Sequence, residues 1–173
     1  MPWWHRLLLR IQAFFAREPR AFLPAAKPED LPEDLQEALR RLGNEKSAAL
    51  DAASRAVKDF GDLRTVLMGP GASSDAAWDV SLLADAEDVL RSMLLRAPEV
   101  RQLAAIAGDR GSDKAGRAAA GEALLQLRDQ GRVLHEVASA SLLWASSKTL
   151  QDQEALRLCA ERLRHTSERA SLG

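Results

Sequence analysis

The chain has 173 residues and a formal net charge of −1, from 24 Lys and Arg against 25 Asp and Glu. That balance argues against a dedicated nucleic-acid binder, which carries a strong basic excess. A hydrophobic content of 46% excludes a disordered chain. Tyr is absent, and Ala, Leu, Glu and Arg dominate, a helical palette poor in strand formers. The expected fold class is all-α.

Cys159 is the sole cysteine, so no disulfide forms within the chain, and a reducing cytoplasm is expected. No apolar run approaches the roughly 18–20 residues that span a bilayer. The N-terminus does not resemble a secretory signal. Arg6 and Arg10 interrupt its apolar stretch, and Phe14-Phe15-Ala16-Arg17-Glu18-Pro19 follows in place of a cleavage site.

The pattern divides the chain into an amphipathic helix over 1–17, a proline-spaced linker over 18–31 and a helical bundle over 32–173. In the first helix Trp3, Trp4, Leu7, Leu8, Ile11, Phe14 and Phe15 share an arc of roughly 140°. Arg6, Arg10 and Arg17 cluster on one flank of that arc, and Leu9 alone points into the polar face. Pro19, Pro24 and Pro28 space the linker, with Pro32 at its far end. A polyproline-like linker of this length reaches about 40 Å.

A long second helix is expected from Asp30, where Asp30 and Glu33 have capping-box spacing, to about Met68, ending at Gly69-Pro70-Gly71. Leu35, Leu39, Leu42, Ala49, Ala53, Ala56, Phe60, Leu63 and Leu67 alternate in steps of three and four, broken only by Lys46. That repeat predicts supercoiled packing, and its alanines predict a close approach of backbones. The third helix is predicted from Ser73 or Ser74 to about Ala97, with a stripe of Val80, Leu83, Leu90 and Leu94 interrupted by Glu87. Pro98 should kink it or start a short helix that stops at Gly108. A fourth helix, capped by Ser112, runs to about Ser147 with Ala120, Leu124, Leu127, Leu134, Ala138, Ser141 and Ala145 inward. A fifth follows Thr149, with Leu156, Cys159, Leu163 and Ala170 inward, unless it continues the fourth. The simplest arrangement is an antiparallel bundle of four main helices plus the N-terminal helix.

Candidate chemistry is sparse. His5, His135 and His165 are far apart in sequence, and Glu161 and His165 read as a surface pair, so no metal site, cofactor or catalytic residue is expected. Asp75, Asp79, Asp85 and Asp88 read as a solvated helix face. Glu87 and Lys46, the two polar breaks, are candidates to face each other across a seam. No phosphate-binding glycine loop is present.

Functional expectation therefore falls on Trp3, Trp4, Arg6, Leu7, Leu8, Arg10, Ile11, Phe14, Phe15 and Arg17. Their apolar face seeks a mate: the chain's own bundle or a second copy first, an anionic lipid surface next, a groove on another protein last. The leading expectation is a non-enzymatic assembly or adaptor protein that self-associates as a homo-oligomer or binds a protein partner. The alternative is a peripheral membrane protein at the inner membrane face. A nucleic-acid partner is not expected.

Overall fold

The computed structural model describes residues 31–42, 47–69, 76–108 and 113–171; of residues 76–78 only the backbone is described. The described chain is all helical: α1 (Glu33–Leu42), α2 (Ala48–Met68), α3 (Ala76–Gly108), α4 (Lys114–Ser147) and α5 (Leu150–Ser171). The helices pack on one hydrophobic core. α3 and α4 lie at its centre: each packs against the other, against α2 and against α5, and α1 lies along α3.

The single long helix expected from Asp30 to Met68 is two helices. Ser47 is extended (φ −147°, ψ 154°), and its hydroxyl accepts the Leu50 N–H at 3.1 Å, an N-cap that starts a new helix. Gly43 and Ser47 together are a stop-and-start signal that the apolar repeat overrode. The repeat still names the core: Leu35, Leu42, Ala49, Ala53, Ala56, Phe60, Leu63 and Leu67 are all buried. Lys46 lies outside the described residues. Before α1, Leu31 is already buried, and Pro32 O accepts the N–H groups of Leu35 and Gln36. At the other end of α2, a Cβ on Gly69 would stand 2.5 Å from the Thr65 carbonyl oxygen, so the stop requires glycine.

α3 differs from expectation in two ways. It runs unbroken through Pro98 to Gly108. Its buried face is Leu82, Ala86, Val89, Leu90, Met93, Leu94, Ala97 and Val100, while Val80 is exposed. At 100° per residue Val80 points about 120° from the centre of that face. Leu90 and Leu94 of the expected stripe are buried, and Leu83 packs against the core from its edge.

The cap of α4 is Asp113, one residue beyond the expected Ser112; its carboxylate accepts the Gly116 N–H at 2.6 Å. Ala120, Leu127, Leu134, Ala138 and Ser141 are buried as the pattern required. α4 and α5 are separate. Lys148 takes the left-handed conformation (φ 52°) that ends α4, and its N–H bonds to Trp144 O. Its ammonium lies 4.2 Å from the Trp144 ring centre. Asp152, buried, then accepts the hydroxyls of both Ser147 and Thr149, and Thr149 Oγ1 accepts the Asp152 N–H at 3.2 Å, which caps α5.

Cross-helix contacts fix direction and level. Ser92 meets Gln130 at 3.3 Å and Arg96 meets Gln126 at 3.1 Å, so α3 and α4 run in opposite directions. Arg164 meets Asp85 at 3.7 Å and Ser167 meets Asp88 at 3.4 Å, so α3 and α5 run the same way. Asp34 on α1 meets Arg91 at 2.9 Å, and Leu42 O accepts Arg101 Nη1 at 3.1 Å, setting α1 parallel to α3. Gly121, inside α4, has nothing within 4 Å of where a Cβ would stand. Gly121→Ala is expected to raise stability by about 1 kcal/mol through backbone entropy, read as a higher urea midpoint.

Candidate functional site

Asp85 and Asp88, which meet α5, lie on a stripe of α3 with alternating four- and three-residue spacing: Ser81, Asp85, Asp88, Ser92, Leu95, Glu99, Gln102 and Ile106. The first half of the stripe is occupied. Ser81 and Asp85 both meet Arg164, and Asp88 meets Ser167. At this register the last residue of α5, Ser171, falls about one turn past Asp88, near Ser92. The second half of the stripe therefore continues beyond the end of α5.

That second half changes character. Leu95 is 63% exposed and Ile106 59%, with Leu103 at 42% beside them. α4 mirrors it. Glu136 meets Arg162 of α5, and Leu125, eleven residues earlier and so within about 20° on the helix, is 63% exposed. The Arg96–Gln126 bond lies one residue from each of Leu95 and Leu125 and sets the two leucines at one level. Residues 102–106 and 113–119 are all exposed, so the end of α3 and the start of α4 reach past the other described helices. Among the described residues the surface that α5 covers thus continues uncovered as a track, bordered by Leu95, Leu103 and Ile106 on α3 and Leu125 on α4. Its stripes carry Glu99 and Glu122, both exposed.

All ten residues singled out in the sequence, Trp3, Trp4, Arg6, Leu7, Leu8, Arg10, Ile11, Phe14, Phe15 and Arg17, lie outside the described residues. The other candidates are placed. Glu87 bonds Arg91 at 2.8 Å, and Arg91 also reaches Asp34 at 2.9 Å and Asp88 at 3.5 Å, so Glu87 belongs to a network that ties α1 to α3. The Arg91 hydrogen bond pulls the Asp34 carboxyl below its ordinary value. That contribution is present above the unfolded value near 3.8 and is lost as pH falls through the lower folded one. The expected solvated acidic face is only partly solvated. Asp79 is buried, and burial, opposed by Arg164, raises the Asp85 carboxyl. Asp75 lies outside the described residues. His165 pairs with Glu168 at 3.4 Å, not with Glu161, and His135 meets Asp59 at 3.0 Å.

Among the described residues no group of His, Cys, Asp and Glu is placed to hold a metal ion, and no described helix is long and apolar enough to cross a membrane. Burial, with Glu136 nearby, pushes the Cys159 thiol up to about 11. A thiol so raised is a poor nucleophile at neutral pH. Relative to an ordinary value of 9.0, its thiolate fraction at pH 8 falls about a hundredfold. Iodoacetamide is therefore expected to label the folded chain about a hundred times more slowly than the urea-unfolded chain, by intact mass.

Comparisons of the chain with protein-family models, with curated proteins and with solved structures find no match. The site's geometry alone carries the functional reading.

Proposed function

We propose that this chain is a non-enzymatic assembly or adaptor protein that acts through helix-in-groove docking, with residues 3–15 as the helix it offers to a protein partner or to a second copy. The body behind that helix is an antiparallel bundle of α2 to α5, a topology supported by the opposed α3 and α4 and the parallel α3 and α5. The observation that carries the reading is the exposed apolar track past α5, which no described helix covers. A chain that holds both an amphipathic helix and a helix-sized apolar track has the two halves of one interaction. The aromatic side chains Trp3, Trp4, Phe14 and Phe15 supply the large apolar area that anchors such contacts.

The test is light scattering on the full chain and on Leu8→Asp/Ile11→Asp, which places two carboxylates in the apolar arc. The reading expects the parent to show a concentration-dependent mass or a captured partner whose binding the variant loses. A monomer that binds no protein but sediments with anionic vesicles, and loses that on substitution, replaces the reading with a lipid-surface role. A monomer that does neither overturns both.

A further inference from the structure

We propose that the track between α3 and α4 beyond the end of α5 is the seat of residues 3–15 of the same chain, which lie along it as a helix when no partner is engaged. The proposal rests on the amphipathic helix of the preceding reading, but it requires no partner. Three observations select this occupant.

Length matches first. From Leu95 to Ile106 the track spans eleven residues of α3, about 17 Å at 1.5 Å per residue, and a helix over residues 3–15 is about 20 Å long.

The tether starts in the right place. The described chain begins at Leu31, and Asp34, three residues later, is fixed to Arg91 at 2.9 Å. Leu95 lies one helical turn beyond Arg91 and about 40° around α3. Residues 18–30, if extended, reach about 40 Å, more than the track requires from its near end to its far one. A tether of this length holds the helix at an effective concentration on the order of millimolar, so its own chain is the first occupant encountered.

Chemistry matches as well. The track's walls are Leu95, Leu103, Ile106 and Leu125, which suit the arc of Trp3, Leu7, Leu8, Ile11 and Phe14. Past α5 the stripes carry Glu99 and Glu122, within reach of the Arg6 and Arg10 flank of the N-terminal helix, while Arg96, held to Gln126 at the near end, and Lys114, at the far end of the α4 stripe, confine that acidic stretch to the middle of the track. Seated this way, the helix prolongs the packing of α5 along the same two neighbours. It also hides the aromatic arc, so a partner or a membrane must displace it.

Amide hydrogen exchange on the full chain, at a concentration where it is monomeric, tests this. Amides within residues 7–15 should be protected, and the protection should not change on further dilution. Leu103→Asp/Ile106→Asp should lower that protection tenfold or more, with α2, α4 and α5 exchanging as in the parent. Leu125→Asp, on the opposite wall, should do the same, and it decides the matter if the double variant loses core protection. Unprotected amides in the parent, or protection that survives both variants, overturns the proposal. Protection that falls on dilution overturns it in favour of a second copy as occupant. Failure here is distinct from failure of the adaptor reading, because mass and partner capture do not depend on where the free helix rests.

Discussion

Leu134→Ala is expected to lower the stability of the chain by about 3–4 kcal/mol, the range for truncating a fully buried leucine. Leu134 has no exposed surface, and it sits near the middle of α4, which packs against α2, α3 and α5 at once. Three helices would have to move together to fill the space left, so the site collapses poorly and the cavity cost is retained. Domains of this size are stable by only about 5–15 kcal/mol, so the loss is a large fraction of the whole. Urea titration followed by far-UV circular dichroism measures it: the midpoint falls while the slope stays. Leu150→Ala provides the contrast. Leu150, in the first turn of α5, is 84% exposed, and its truncation should change stability by less than about 0.5 kcal/mol. A Leu134 variant as mild as the Leu150 variant would mean that α4 is not the centre of the core.

Much of that core is legible in the sequence because burial on a packed helix repeats with the helix itself. The series from Leu35 to Leu67 and the series from Ala120 to Ser141 find buried faces without knowledge of what they pack against. The pattern is silent where the backbone changes state between two in-phase apolar runs. Leu42 and Ala49 are seven residues apart and remain in phase across the break that Ser47 caps, so a periodicity reading joins them. Lys148 is the opposite case. A lysine in the left-handed region carries no compositional warning, and only the Thr149–Asp152 cap marks the start of α5.

The exposed apolar track past the end of α5 is less legible still, for a physical reason. Leu95 points about 180° and Leu103 about 100° from the centre of the buried face of α3, and α5, which is not adjacent to α3 along the chain, stops near Ser92, so among the described helices none covers them. Where one helix ends relative to another is a matter of tertiary register, and no local pattern encodes it. Val80 fails as a core residue through the same gap: spacing from Leu83 and Leu90 includes it, but the buried face turns toward Leu82, Ala86 and Val89. The reverse holds for residues 3–17, whose amphipathic spacing is plain in sequence and which lie outside the described residues.

Gly131→Val should destabilise the chain by about 3 kcal/mol, although Gly131→Ala should be close to neutral. A Cβ at this position of α4 would stand 3.2 Å from Met93 Cε on α3 and 4.0 Å from the Ala52 carbonyl oxygen on α2. Ala52, beside Ala53 of the α2 repeat, is thus within van der Waals range of this position on α4. For alanine, two effects of about 1 kcal/mol oppose each other. The helix gains backbone stability when an interior glycine is replaced, and the terminal methyl of Met93, a flexible group, gives way by a few tenths of an ångström. For valine the balance is lost. Its two further methyls extend toward the Ala52 carbonyl, which belongs to a helical backbone and moves only if α2 shifts as a body, and overpacking of that kind costs about 1–3 kcal/mol or more. Valine also gives back part of the helical gain through its restricted side chain. Urea midpoints of the two variants, measured beside Gly121→Ala, separate the contributions. Gly121→Ala reports the propensity gain alone, Gly131→Ala the gain less the Met93 adjustment, and Gly131→Val the cost of pushing α2 and α4 apart. If valine were tolerated as well as alanine, α2 and α4 would not be in the close contact on which the centre of this fold depends.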